Sequence, residues 1–122
     1  MGEKKIYLCN AFSLNMLENV SEDFDLSVSR RSDEEIKKYI DTLIKEHGYE
    51  LVSAIGHPAT AKLVSEILER PVAPNRVEVK TDLADDVIVV FQLKKRLPYG
   101  KELTVDELKE MEHEWYVIYI IY

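Results

Sequence analysis

Apolar residues along the chain switch between two periods, and the switches predict where its elements begin and end. Lys5–Cys9 is a short, mostly apolar run suited to a first strand. A turn-like stretch, Asn10–Ser13, leads into a short helical turn through Leu14–Leu17. Phe24, Leu26 and Val28 alternate with polar residues, the period of a half-buried strand. Ser32 with Glu35 forms a capping box, and Ile36, Tyr39, Ile40, Leu43 and Ile44 carry an apolar helical stripe onward. Gly48, just past His47, predicts the left-handed cap that ends this helix. Leu51–Ile55 then suits a buried strand. Pro58 suits the first position of a second helix, with Leu63, Val64, Ile67 and Leu68 on its core face.

In the second half, Arg76–Lys80 alternates charge with valine and predicts a strand with one wet face. Asp86–Leu93 is nearly continuous in apolar residues, as a central strand buried on both faces requires. Leu97–Gly100 predicts a turn, and a second capping box, Thr104 with Glu107, opens a helix through about His113. The tail Trp115–Tyr122 is apolar on both faces, so it is expected to be central or covered by a partner subunit. Strands and helices intersperse without strict alternation. The expected fold is α/β, a single-domain sandwich over residues 1–122 with a mixed sheet of about five or six strands flanked by helices.

Composition narrows the class. The 122 residues suffice for one core, and 46% hydrophobic with 32% charged residues is ordinary for a soluble domain. No apolar run approaches the ~20 residues that span a bilayer, so no membrane partner is expected. Cys9 is the only cysteine, which excludes an internal disulfide and points to a reducing, cytoplasmic setting. With three scattered histidines it offers no metal-ligand spacing. The net charge of −7 argues against duplex nucleic acid as a partner. Residues 70–101 nevertheless hold seven basic groups against four acidic, with nine against nineteen elsewhere. Such a cluster suits either a small polyanion or a merely solvated face.

Candidate chemistry centres on His57. It lies between a strand and a helix that opens with Pro58, beside unpaired N–H groups and the positive end of the helix dipole. An imidazole next to an anion site is what phosphodiester chemistry needs. Other polar residues flank strand ends: Asn10, Ser13, Thr60, Arg76, Gln92 and Arg96. All but Gln92 also have a structural alternative. Asn10 and Ser13 suit turn and cap roles, Thr60 suits a bond within its helical turn, and Arg76 suits an ion pair across the sheet. Cys9 suits a buried apolar role, while His47 and His113 join no constellation.

Three segments, 10–17, 54–57 and 75–80, resemble in order the motifs of the viral anti-CRISPR ring nucleases of archaeal viruses and bacteriophages. The resemblance covers 5–17 and 51–101 well and 18–50 poorly. It implies a homodimer that encloses cyclic tetra-adenylate, the messenger of type III CRISPR systems, and cuts it to linear di-adenylates with 2′,3′-cyclic phosphate ends. No metal or cofactor is implied. His57 would be the general acid and catalytic residue, with Asn10, Ser13, Thr60, Arg76, Gln92 and Arg96 binding substrate.

The sequence departs from that family at its turn. Tyr99 stands where better-known members place a glutamate before the glycine and lysine matching Gly100 and Lys101, and Pro98 replaces another acidic residue. Tyr99 can bond a phosphate or the imidazole but brings no charge. The alternative to an enzyme is therefore a sponge that holds a cyclic oligoadenylate uncleaved. A third expectation is a regulatory viral protein with no such affinity, docking a partner through its apolar tail.

Overall fold

In the computed structural model, residues 4–94, 106–107 and 112–121 are described. The elements run β1 (Lys5–Cys9), a 3-10 turn (Leu14–Met16), β2 (Asp25–Arg31), α1 (Asp33–His47), β3 (Glu50–Ala54), α2 (Pro58–Leu68), β4 (Val87–Leu93) and β5 (His113–Ile121). The five strands form one mixed sheet in the order β2-β5-β4-β1-β3. β1 is parallel to both β3 and β4, whereas β5 is antiparallel to β2 and β4.

Strand alternation divides the core between the two faces of the sheet. Ile6, Leu8, Val87, Val89, Phe91, Trp115 and Val117 meet Ile36 and Ile40 of α1 and Leu63, Val64 and Leu68 of α2. Cys9, Ile88, Val90, Ile118 and Ile120 face the other way, where Val79, Leu83 and the half-buried Phe12, Met16 and Leu17 cover them. Both helices thus lie on one face, and irregular chain covers part of the other. Cys9 behaves as the small apolar residue expected: it is buried, and that burial pushes its thiol up to about 12.

The helix boundaries follow from their caps. Ser32 accepts from the Glu35 N–H while the Glu35 carboxylate accepts from the Ser32 N–H, each at 3.2 Å. Gly48 ends α1 at φ +70°, a backbone state that glycine enters without steric cost. The apolar tail, β5, lies between β2 and β4, the central placement its two apolar faces required.

Three expectations are corrected. Residues 76–80 form no strand. Val79 is buried as its alternation implies, but the only bridge nearby joins Thr81 to Leu17, and the segment lacks a ladder of its own. The strand expected at Phe24–Val28 runs to Arg31, because the nine-residue β5 supplies register partners as far as Trp115. The helix expected through His113 stops short of it. The Lys94 N–H donates to the Glu112 carbonyl at 2.9 Å, and His113 already pairs with Leu93 as the first residue of β5. Asp106 and Glu107 are helical as expected, whereas Thr104 and the Leu97–Gly100 turn lie outside the described residues.

His113 makes specific contacts at the start of β5. Its Nε2 lies 2.7 Å from Asp33 Oδ1, its ring centroid is 5.0 Å from that of Phe91, and Trp115 donates its indole N–H to the same Asp33 oxygen at 2.6 Å. Asp33 thereby ties the first turn of α1 to the start of β5.

Candidate functional site at the carboxyl edge of the parallel strands

The parallel strands β4, β1 and β3 run the same way, and Cys9 stands in register with both Ala54 and Val90. Asn10, His57 and Gln92 consequently emerge at one edge of the sheet, outside the carboxyl ends of the strands where ligands bind in open α/β sheets.

His57 is the N-cap of α2, in extended conformation at φ −95° and ψ 119°, with Pro58 at the first helical position. Its carbonyl accepts the Ala61 N–H at 3.0 Å, starting the helix, while its side chain caps nothing. The ring is half-buried. Its Nδ1 lies 3.4 Å from the Thr60 hydroxyl, and Nε2 has no partner among the described residues. Thr60 itself is 2% exposed, so its contact with the site runs through the imidazole.

Arg76 docks at Gly56, the residue before His57. The segment before it docks along β3: Ser53 donates its hydroxyl to the Ala73 carbonyl at 2.6 Å, the Asn75 N–H donates to the Ile55 carbonyl at 2.7 Å, and the Asn75 amide donates to the Ser53 carbonyl at 2.8 Å. The Arg76 Nε then donates to the Gly56 carbonyl at 3.3 Å. A Cβ on Gly56 would sit 2.8 Å from Arg76 Cγ, so the arginine stem crosses the chain where only glycine leaves room. No carboxylate among the described residues lies within ion-pair distance of Arg76.

The remaining basic residues of 70–101 do not join it. Arg70 clamps α2 to α1 through Asp41 at 2.7 Å, Lys80 meets Glu78 at 3.3 Å, and Lys94 meets Glu114 at 3.5 Å. Most of the described cluster is thus a set of surface ion pairs, each worth little to stability. Arg96 and Tyr99 lie outside the described residues.

Two cavities open beside the same edge. Asn10 and Ser13 line one of about 310 Å³ with Ala54, Val77 and Glu78, although the Ser13 hydroxyl oxygen also accepts the Asn15 N–H at 3.3 Å, as a cap does. Gln92 lines the other, of about 300 Å³, with Phe12 and Tyr116. Ala11, after β1, borders both. The fold therefore groups Asn10 with Ser13 and His57 with Thr60, sets Arg76 against the preceding Gly56, and places Gln92 in a cavity of its own.

Glu114 was not expected here. It pairs with Gln92 across the ladder, on the face that carries Tyr116. The Tyr116 hydroxyl donates to it, and Arg30 stands 3.6 Å away. That hydroxyl bond first, with Arg30 and Lys94 behind it, holds the Glu114 carboxyl below its ordinary value. The signal was present in the alternation of 114, 116 and 118, but Glu114 fell between the helix expected through about His113 and the strand expected from Trp115. Among the described residues no three His, Cys, Asp or Glu side chains gather as a metal site would need. No helix among them is long and apolar enough to cross a membrane.

A family model described as STIV B116-like matches residues 6–115. The chain belongs to the STIV B116-like family. Its relatives are proteins of archaeal viruses. ORF117 of Acidianus two-tailed virus is 41% identical over 92 residues, covering 75% of this chain and 74% of that protein. Protein 26 of Sulfolobus islandicus filamentous virus is 32% identical over 71 residues, 57% of this chain and 59% of its own. The solved structure of B116 of Sulfolobus turreted icosahedral virus superposes with a TM-score of 0.73 at 28% identity, over 94% of this chain and 98% of B116. The single α/β domain with its mixed five-stranded sheet thus matches the B116 structure.

Proposed function

We propose that this member of the STIV B116-like family is a metal-independent ring nuclease that binds cyclic tetra-adenylate between two copies of the chain and cleaves it, ending type III CRISPR signalling in the host cytoplasm. The observation that carries the reading is the Arg76 guanidinium bonded to the carbonyl of Gly56, the residue before His57, beside the uncapped N-terminus of α2. The motifs at 10–17, 54–57 and 75–80, which resemble those of the anti-CRISPR ring nucleases, supply the substrate.

The chemistry asks little of the protein. A ribose 2′-oxygen attacks the adjacent phosphorus, the bond to the 5′-oxygen breaks, and a 2′,3′-cyclic phosphate remains. The 2′-hydroxyl gives its proton to solvent, and His57 gives one to the departing 5′-oxygen. Arg76 neutralises phosphate charge with its planar fork, and the first N–H groups of α2 add to it. Thr60 holds the ring through Nδ1, which leaves Nε2 for the leaving group. A four-nucleotide ring on a two-fold axis meets two copies of each group, which suits a homodimer. No cofactor enters.

One observation favours the sponge as second reading. The near partner of His57 is a hydroxyl, and no carboxylate touches the imidazole among the described residues. A protein that cleaves slowly or not at all would still disarm the messenger by holding it.

Titration with cyclic tetra-adenylate at several salt concentrations tests the site. Arg76→Ala is expected to weaken binding at least tenfold and to flatten the salt dependence, since a neutralised phosphate contact is lost. Gly56→Ala is expected to weaken binding, because the new Cβ displaces the Arg76 stem and with it the bond to the Gly56 carbonyl. Unchanged affinity in both variants would remove this edge from the proposal.

A further inference from the structure

A further cavity lies at the opposite, amino edge of the parallel strands. Its lining includes Lys4, Tyr49 and Asp86, the residues just before β1, β3 and β4. At about 440 Å³ it is larger than either cavity beside His57. Three tyrosines reach it from separate parts of the chain: Tyr39 from α1, Tyr49 from the turn after α1, and Tyr119 from β5. They stand close together. After burial itself, the phenols of Tyr49 and Tyr119 help push the Tyr39 hydroxyl above its ordinary value. Unlike the Tyr116 hydroxyl, theirs have no hydrogen-bond partner among the described residues.

The charged groups of the lining differ in what they already hold. Asp86 accepts the Lys5 N–H at 3.1 Å on one oxygen and the Thr81 hydroxyl at 2.6 Å on the other. Arg31 stands 3.8 Å from Glu35. The Lys4 ammonium lies 5.7 Å from the Tyr49 ring centroid, a cation of the chain itself drawn to the aromatic wall. Asp85 is exposed and has no ion pair or hydrogen bond among the described residues. A carboxylate left unpaired beside aromatic rings is the chemistry that holds an ammonium ion.

We infer that this cavity binds a small aliphatic ammonium compound, its head on Asp85 and its methylenes against Tyr39, Tyr49 and Tyr119. Val87, Val117 and Ile120 add apolar surface for the stem. A phosphate fits poorly, because two carboxylates share the lining while one of its cations faces Glu35 and the other sits on Tyr49. The volume is that of a small-molecule pocket. Lys4 is the internal competitor, since its ammonium holds the ring surface that the ligand takes. The site owes nothing to the ring-nuclease reading.

The test titrates the protein at fixed ionic strength with n-pentylammonium chloride and, separately, with the neutral n-pentanol, followed by calorimetry. The ammonium is expected to bind saturably and about tenfold more tightly than the alcohol. Asp85→Asn is expected to remove that preference, and Tyr119→Ala to weaken the ammonium by about threefold. Lys4→Met is expected to tighten it by about threefold, whereas Lys45→Met, which removes an equal charge from the exposed last turn of α1, leaves it unchanged. Absence of saturation, equal affinity for ammonium and alcohol, or a preference that survives Asp85→Asn overturns the site. Equal tightening by the two lysine variants also overturns it, because general attraction of cations to an acidic protein then accounts for the binding.

Discussion

His57→Ala is expected to lower the single-turnover rate of cyclic tetra-adenylate cleavage by about 10²- to 10⁴-fold, the usual contribution of a positioned general acid. Affinity for the intact ring is expected to change much less. The reason is local. The imidazole caps no helix N–H, has Thr60 as its one side-chain neighbour within hydrogen-bonding distance among the described residues, and leaves phosphate charge to Arg76 and the first turn of α2. Thr60→Val is expected to give a smaller loss of rate, because it frees the ring without removing it. A His57→Ala protein that cleaves at the wild-type rate would move the acid elsewhere, and Glu114 beside Gln92 would become the carboxyl group to examine.

The largest loss of stability is expected at Trp115. Its side chain is 1% exposed, packs edge-on against Phe91 at 4.9 Å and donates to Asp33 at 2.6 Å. Truncation to alanine removes that packing and leaves a cavity between β5, β4 and α1, at a cost of roughly 3–5 kcal/mol. Small domains are held by only about 5–15 kcal/mol, so the variant is expected near the edge of folding. Trp115→Phe keeps an aromatic ring and loses the indole N–H bond to a carboxylate, which costs about 1.5–3 kcal/mol. Urea unfolding of the three proteins checks the order. A Trp115→Ala midpoint equal to that of Trp115→Phe would show that the ring carries little of the core.

Much of this fold could be read from residues whose physics is local. The box of Ser32 and Glu35 with the glycine at 48 bracketed α1, and the proline at 58 placed the start of α2. The unbroken apolar run from Val87 belongs to a strand buried on both faces, as such a run must. What failed was non-local. Alternation over 76–80 buries Val79 correctly, but a strand also needs a neighbour, and no pattern in the segment announces whether one exists. The start of β5 was hidden in the same way, since His113 is extended because Leu93 lies opposite it.

The candidate site divides along similar lines. His57 at a helix start was legible because proline and a periodic stripe mark that start. The docking of Arg76 beside the preceding residue was not, because it depends on an arginine stem crossing Gly56, 20 residues away in sequence. The basic cluster of 70–101 looked like one patch in composition, yet the chain sends Arg70 to Asp41 and Lys94 to Glu112 and Glu114. Only Arg76 among its described members is left without a carboxylate.

The central claim is cleavage of the ring without metal. Purified protein would be incubated in excess EDTA with cyclic tri-, tetra- and hexa-adenylate separately, beside His57→Ala, and the products identified by mass spectrometry. Di-adenylate ending in 2′,3′-cyclic phosphate, formed from the tetramer by wild-type protein and not by the variant, is the predicted result. Intact rings recovered from the wild-type protein after prolonged incubation would contradict it.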